Sequence, residues 1–307
     1  MIVRQGLLWL SERRGVFNFV RRNGVARRFA SRFVAGETID EGVEAARELA
    51  RRAITSSLDL LGESVTIEAE AVAARDHYLA MLDQMAAAGV EVNVSVKLTQ
   101  MGLDIAEDLC QSNMVGILEK ARTLGGFVRL DMEGSDYTQR TLDFFARRLF
   151  PEYGKHCGVV IQSMLRRSAG DIEGLVALGA RVRLCKGAYA EPESVAYQSA
   201  LDVDKAYVRC LNILMSGEGY PMVATHDPRL IAIAEDRARW FDRSAEEYEF
   251  QMLYAMRTEE QARLAAGGNI VRVYLPYGTQ WYGYLLRRLA ERPSLGVRFA
   301  RGIPKMG

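Results

Sequence analysis

Several residue types that often reveal a protein's chemistry are scarce in this chain. It contains three histidines and four cysteines, and Cys110, Cys157, Cys185 and Cys210 stand alone, without a C-x-x-C pair. No histidine lies at metal-ligand spacing from them. Isolated thiols of this kind indicate a reducing compartment and argue against a structural zinc site. No apolar run approaches the roughly 18 residues that a membrane-spanning helix needs. We therefore expect a cytoplasmic protein without a bound metal.

An excess of one charge sign is also missing. The formal net charge is +1, from 40 basic and 39 acidic residues, so we expect no nucleic-acid partner. The first 35 residues are the exception, because they hold eight arginines and one acidic residue. We predict that residues 1–36 form a basic helical arm packed against the main domain. The same composition would also suit peripheral contact with a membrane surface.

The rest of the chain alternates short apolar or β-branched runs with helical periodicity, which predicts a parallel sheet of βαβ units. Eight such units in this length predict a (β/α)8 barrel of the TIM type, with residues 37–307 as a single catalytic domain. A doubly wound sheet is less well supported, because no G-x-G-x-x-G follows the first strand. The predicted strands cover 53–59, 90–97, 127–133, 158–163, 181–186, 221–226, 248–254 and 269–277.

Local signals predict where individual helices begin and end. Thr38 to Glu41 has the pattern of a capping box, and Gly89 follows a long periodic segment as a helix-ending glycine should. The last helix follows the eighth strand directly, so we predict that it lies across the barrel mouth. It carries two stripes: Tyr284, Arg287, Arg288 and Glu291 on one side, and Tyr282, Leu285, Leu286 and Leu289 on the other.

Polar or aromatic residues close each predicted strand. In a TIM barrel these strand ends meet at the catalytic mouth. We predict a buried charge pair between Lys97 and Asp131, and an amino-acid site built from cations, an acidic residue and an apolar wall. The residues alone do not specify which amino acid or which reaction. The strand-end residues are Asp59, Glu63, Lys97, Asp131, Glu133, Gln162, Arg183, Lys186, Thr225, His226, Gln251, Tyr254 and Tyr274.

The strand-end segments together carry a family resemblance. In chain order they resemble proline dehydrogenase, the FAD enzyme that makes Δ1-pyrroline-5-carboxylate from L-proline, over most of the chain from Ser57 to Pro293. We expect the monofunctional bacterial form, since no aldehyde dehydrogenase domain follows. The segments are VSVKLTQMGLD, RLDMEGSD, VVIQS, VRLCKGAYAEP, VATHDP, EFQMLYAMR and VYLPYG, followed by WYGYLLRRLAER.

The resemblance implies a role for each matching residue. The catalytic residues would be Lys97, Asp131 and Arg183, with Arg183 close to flavin N5. Glu63 would pair with the first arginine of the last helix and gate the site. The proline pocket would contain Lys97, Asp131, Leu253, Tyr274, Tyr284, Arg287, Arg288 and Glu291, with the two arginines on the carboxylate. The FAD site would contain Gln162, Arg183, Lys186, Gly187, Ala188, Tyr189, Thr225 and His226.

The implied reaction is hydride transfer from proline to FAD, with the electrons passed on to a quinone acceptor. An alternative from another class is a Schiff-base aldolase, in which Lys97 or Lys186 has a depressed pKa. A third alternative is a non-catalytic surface that binds acidic partners through the arginine-rich arm and last helix. That alternative leaves the convergence of Lys97, Asp131 and Lys186 unexplained.

Overall fold

The architecture is a closed barrel of eight parallel strands, seen in a computed structural model that describes residues 33–291. Each strand pairs with the next in chain order, and the eighth pairs with the first. The predicted (β/α)8 barrel is therefore confirmed. Its strands are β1 (Thr55–Leu60), β2 (Asn93–Val96), β3 (Phe127–Leu130), β4 (Cys157–Gln162), β5 (Arg181–Cys185), β6 (Tyr220–Ala224), β7 (Glu249–Leu253) and β8 (Val271–Tyr277).

Helices precede the first strand and follow every strand. The helices between β1 and β8 connect strands that pair in parallel, as crossover connections require. A π-helical turn, Phe145–Leu149, separates α4 from the short α5. The helices are α1 (Ile39–Ala50), α2 (Glu68–Ala87), α3 (Glu107–Thr123), α4 (Ser135–Phe144), α5 (Phe150–Tyr153), α6 (Ser168–Ala177), α7 (Ala200–Ser216), α8 (Pro228–Trp240), α9 (Thr258–Ala266) and α10 (Trp281–Glu291).

Two predicted helix boundaries have the expected geometry. The Thr38 hydroxyl accepts a hydrogen bond from the Glu41 amide at 3.3 Å, and the Glu41 carboxylate accepts one from the Thr38 amide at 3.1 Å. This reciprocal pair is the capping box that opens α1. Gly89 follows the end of α2 with φ +67°, a left-handed conformation that glycine adopts without a steric penalty. Both predictions are confirmed.

The apolar core lies between the strands and the surrounding helices. Strand residues such as Leu58, Val94 and Leu130 have no exposed surface and belong to one continuous apolar cluster with the inward faces of the helices. This double burial explains why the strands are recognisable as apolar runs. A membrane-crossing helix is absent from residues 33–291, because no helix there combines the required length with enough apolar character.

The interior of the barrel is polar, which the apolar runs do not predict. Many TIM barrels fill this space with branched apolar side chains. Here Arg129 is fully buried, and it donates to the Ser57 hydroxyl at 3.2 Å. Arg272 donates through Nε to both carboxylate oxygens of Glu249 at 3.0 Å. The buried arginines beneath the mouth are therefore both paired with Glu249, which lies 3.0 Å from Arg272 and 3.9 Å from Arg129.

The apolar side of the last helix, α10, packs against the first described residues of the chain. Leu285 and Leu286 pack in one buried cluster with Phe33 and Val34. Phe33 to Gly36 are the only part of the predicted arm within the described residues. The arm through residue 32 lies outside them, so its helical conformation and the division at residues 1–36 stay predictions.

Candidate active site

A large cavity opens at the carboxyl ends of the strands, where βα loops form the catalytic face of TIM barrels. Its volume is about 1300 Å³, above the roughly 300–1000 Å³ of an ordinary small-ligand pocket. It can therefore accommodate a large cofactor together with a small substrate. Among its lining residues are Lys97, Asp131, Gln162, Arg183, Lys186, Gly187, Ala188, Tyr189, Thr225, His226, Leu253, Tyr274, Tyr284 and Arg288.

Glu63 is the one predicted site residue with a described side chain that is not among the cavity-lining residues. Glu63 lies in the loop after β1, close enough for its charge to raise the pKa of Lys97. The side chains of Arg287 and Glu291 lie outside the described residues, so their roles stay predictions. Arg288 does line the cavity, and its guanidinium carbon is 5.2 Å from the centre of the Tyr284 ring. Stacking on an aromatic face orients the planar fork.

Lys97 forms its ion pair with Asp59. The Lys97 Nζ is 3.2 Å from Asp59 Oδ1 and 3.3 Å from Oδ2. The predicted pairing of Lys97 with Asp131 is therefore wrong. The physical reason is the register of the barrel, which sets Asp59 on β1 opposite Ser95 on β2, two residues before Lys97. Asp131 instead accepts from Arg183.

The charge of Lys97 is maintained by its carboxylate neighbours. Burial by itself would lower the pKa of this amine, but Asp59, then Asp131 and Glu63, raise it above the ordinary lysine value. Burial raises the pKa of Asp59 too, opposite to the effect of its ion pair with Lys97. The direct 3.2 Å contact favours the charged pair, so Lys97 stays protonated at neutral pH.

Asp131 holds two other groups of the cavity wall. Its Oδ1 accepts from Arg183 Nη1 at 2.8 Å, and its Oδ2 accepts from the Tyr274 hydroxyl at 2.8 Å. The Arg183 guanidinium carbon is 5.0 Å from the centre of the Tyr274 ring. Burial and the charges of Asp131 and Asp59 raise the pKa of Tyr274, which therefore remains a hydrogen-bond donor. The three side chains form one rigid unit.

Arg183 is also fixed from below. Its Nε donates to the amide oxygen of Gln251, whose nitrogen donates to Glu249. Its Nη2 donates to the Ser95 hydroxyl at 3.3 Å. Because Glu249 can only accept while ionised, it fixes which side of the Gln251 amide faces Arg183. The guanidinium is thus held at three of its nitrogens.

Glu133 connects two loops beside the cavity. Its Oε2 accepts from the Thr99 hydroxyl at 2.6 Å, and the Thr99 oxygen accepts from the Ser64 amide at 2.9 Å. The loop that carries Glu63 is thereby fastened to the end of β2. Burial raises the pKa of Glu133 to about 7, although the hydrogen bond from Thr99 lowers it. This carboxyl therefore changes charge near neutral pH.

Lys186 and Gly187 lie on the far side of the cavity. Lys186 Nζ is 2.6 Å from Asp204 and 3.2 Å from Asp227. Gly187 follows at φ +107°, and a Cβ there would lie 2.6 Å from the sulfur of Met164. The left-handed backbone and the Met164 side chain therefore leave no room for a larger residue at this position.

Hydrogen bonds tie the ends of the neighbouring strands together around the cavity. The His226 Nε2 accepts from the Leu253 amide at 2.9 Å, which connects the ends of β6 and β7. Gln162 donates to the Glu133 carbonyl oxygen at 2.8 Å. Both side chains are thus fixed while they line the cavity.

Sequence reasoning noted Asp59, Glu133 and Gln251 as polar strand ends but assigned them no role. The structure brings each into contact with a predicted site residue or its loop. One signal was available, because Asp59 and Gln251 lie in apolar runs at alternate positions that face the barrel interior. The same alternation places Ser95 and Glu249 on the inward face, although neither was noted as a strand end.

Known proteins give an independent comparison. The family model described as "Proline dehydrogenase" matches residues 43–295. A proline dehydrogenase of Deinococcus radiodurans is 39% identical over 99% of this chain and 98% of its own length. Proline dehydrogenase 2 of Bacillus subtilis is 36% identical over 99% of this chain and 100% of its own.

A solved structure is similar over the same region. Proline utilization A (PutA) from Bdellovibrio bacteriovorus, inactivated by N-propargylglycine, superposes with a TM-score of 0.81 and 26% identity. The match covers 91% of this chain and 34% of that one, so this chain spans about a third of the larger protein.

Proposed function

The chain belongs to the proline dehydrogenase family, and from that premise we propose that it oxidises L-proline to Δ1-pyrroline-5-carboxylate with FAD as the cofactor. The observation that carries this proposal is the convergence of cations and aromatic walls on one cavity of about 1300 Å³. Lys97, Arg183 and Arg288 supply the cations, and Tyr274 and Tyr284 supply walls. The volume is larger than proline alone would need, which leaves room for FAD.

FAD would lie along the ends of β4 to β6. When bound, it supplies the acceptor for the hydride that leaves the substrate carbon. Lys186 would supply a cation for its phosphates, and the same part of the cavity is lined by Gln162, Gly187, Ala188, Tyr189, Thr225 and His226. Arg183, fixed by Asp131 and Gln251, would place a permanent cation beside the isoalloxazine.

Proline would bind between the last helix and the strand ends. Arg288, together with the predicted Arg287, would hold the carboxylate, because a guanidinium fork matches its two oxygens. Tyr274, Tyr284 and Leu253 would enclose the ring and exclude water. Glu63 and Glu291 complete the expected site, as a gate and as a pocket residue.

The substrate amine must be neutral before a hydride can leave the adjacent carbon. Lys97 stays protonated at Nζ, and a cation nearby disfavours a second one on the substrate. Lys97 would therefore promote loss of the amine proton by repulsion, with the pocket supplying orientation. We further propose a quinone as electron acceptor, reached through peripheral contact of the basic arm with a membrane surface.

The Schiff-base alternative is not favoured by these residues. A nucleophilic lysine needs a depressed pKa, whereas the pKa of Lys97 is raised by Asp59 once the opposing effect of burial is overcome. Lys186 is engaged by two carboxylates. The comparisons with known proteins also lie within the dehydrogenase family.

Substitution of the carboxylate-binding arginines tests the proposal. Arg288→Ala and Arg287→Ala should each raise KM for proline by about 10- to 100-fold, since a hydrogen bond to a charged group contributes roughly 1.5–3 kcal/mol. FAD should stay bound, as seen in the visible spectrum of the purified protein. The matched control is Arg263→Ala, which removes an exposed ion pair with Glu235 and should leave KM unchanged. Wild-type KM in both test variants would contradict the assignment.

A further inference from the structure

Asp59 lines the cavity next to Lys97, and the proposed reaction gives it no role. We propose that Asp59 is a positioning residue that holds protonated Lys97 in a fixed place beside the substrate. The inference deepens the proposed proline oxidation and rests on it. It assigns Asp59 to act through Lys97 rather than by contact with proline.

The geometry supports a bidentate grip. Lys97 Nζ lies almost midway between the two oxygens of Asp59, at 3.2 and 3.3 Å. Both residues line the cavity, and Asp59 has no solvent-exposed surface whereas Lys97 retains 6%. Two other acids of this region are engaged elsewhere: Asp131 accepts from Arg183 and Glu133 accepts from Thr99.

The buried ion pair between Lys97 and Asp59 is not explained by its contribution to stability. A buried ion pair recovers little more than the cost of removing both charges from water, and an apolar pair in the same place would stabilise the fold equally well. What the apolar pair could not supply is a cation at a defined point of the cavity wall. Asp59 supplies the charge that keeps this lysine protonated against the effect of burial.

Several other titratable groups surround the pair and affect the pKa of its members. Asp131 after β3, Glu63 after β1 and Tyr189 after β5 act on Lys97. Asp131 also acts on Asp59, as does Tyr274 on β8. Asp59 alone accepts hydrogen bonds from the Lys97 amine within residues 33–291. Its removal should therefore affect Lys97 more than any other single change.

Reductive methylation of the full-length holoenzyme tests the inference without turnover. Formaldehyde and cyanoborohydride modify neutral amines, and peptide mass spectrometry reports each lysine separately. In Asp59→Asn, Lys97 should be modified at least about tenfold faster than in the wild type, the change that one pKa unit gives. The exposed Lys155 and Lys205 serve as internal standards. Equal modification of Lys97 in both proteins would overturn the inference.

The pH dependence of kcat/KM provides the second readout. For Asp59→Asn, kcat/KM should fall at alkaline pH, where that of the wild type does not. Asp59→Glu should largely restore the wild-type profile. Ser57→Ala changes an inward-facing polar residue two positions earlier on the same strand, and it should leave the shape of the profile unchanged. An Asp59→Asn profile identical to that of the wild type would argue for a purely structural role.

A folding failure would also be informative. If Asp59→Asn does not fold because it leaves a buried cation unpaired, the double variant with Lys97→Met should fold, since it removes both charges. Failure of both variants would overturn the inference. Should the methylation result hold while proline is not oxidised, the proposed function alone would be wrong.

Discussion

Replacement of Asp131 by asparagine should lower both the stability and the activity of the protein, because it exchanges one carboxylate oxygen for an NH₂ group. The carboxylate serves two donors at once, with 2.8 Å contacts to Arg183 and to the Tyr274 hydroxyl. An asparagine has a single oxygen and must turn its NH₂ group toward one of these donors. The ion pair is nearly buried, with side-chain exposures of 8% and 11%, so solvent cannot replace the lost charge.

The expected losses in stability and in rate follow from these contacts. Loss of one partner of a buried ion pair costs roughly 3–5 kcal/mol. Gln251 and Ser95 still accept from Arg183, which lowers the expectation to about 2–4 kcal/mol in the free energy of unfolding. The rate of proline oxidation should fall by about 10²- to 10³-fold, because a displaced Arg183 no longer fixes the cavity wall. Tyr274→Phe removes one hydrogen bond and should cost less, about 1–2 kcal/mol.

Urea unfolding followed by circular dichroism measures the stability change, and anaerobic loss of the visible flavin absorbance on adding proline measures the rate. The double variant Asp131→Asn/Tyr274→Phe should lose less stability than the two single variants added together, since both changes affect the hydrogen bond between these residues. Asp143→Asn is the control, because its exposed ion pair with Arg147 is expected to contribute under about 0.5 kcal/mol. Equal losses for Asp131→Asn and Tyr274→Phe would show that the charge of Asp131 adds nothing beyond a neutral hydrogen bond.

Three further outcomes are expected. Because burial raises the pKa of Glu133 to about 7, the folded state holds this proton more tightly than the unfolded chain does. The free energy of unfolding should therefore fall by roughly 2–3 kcal/mol from pH 5 to pH 8, and urea titrations of Glu133→Gln should lack that slope. Gly187→Ala, at φ +107°, should weaken FAD binding in fluorescence titrations, whereas Gly170→Ala, at an open helical position, should not. Phe250→Ala, which empties a fully buried position, should cost about 3–5 kcal/mol in chemical unfolding, and a loss below 1 kcal/mol would mean that the core closes over the cavity.

The barrel was predictable because its strands are buried on both faces and appear as apolar runs at regular intervals. The mouth was predictable for a related reason, since parallel strand ends converge once the ring closes. Every predicted site residue whose side chain the structure describes, apart from Glu63, lines one cavity.

The pairing of charges was not predictable. Which acid reaches Lys97 depends on the register between β1 and β2, and no local pattern encodes that register. The interior position of Arg129 was hidden for a similar reason, because an arginine within an apolar run is indistinguishable from one at a strand edge until the ring is closed. Partner choice is a tertiary property.

The buried arginine on β8 has a consequence for how the chain can be divided. Arg272 neutralises Glu249 on β7 and also donates to the Ser56 carbonyl oxygen on β1 at 3.0 Å. A fragment that stops before β8 would retain a carboxylate in a dry interior with no bidentate counterion and would expose the edge of the first strand. Half-barrels cut from this chain should therefore not persist alone, while a permuted chain that keeps all eight strands and opens an exposed loop should still close.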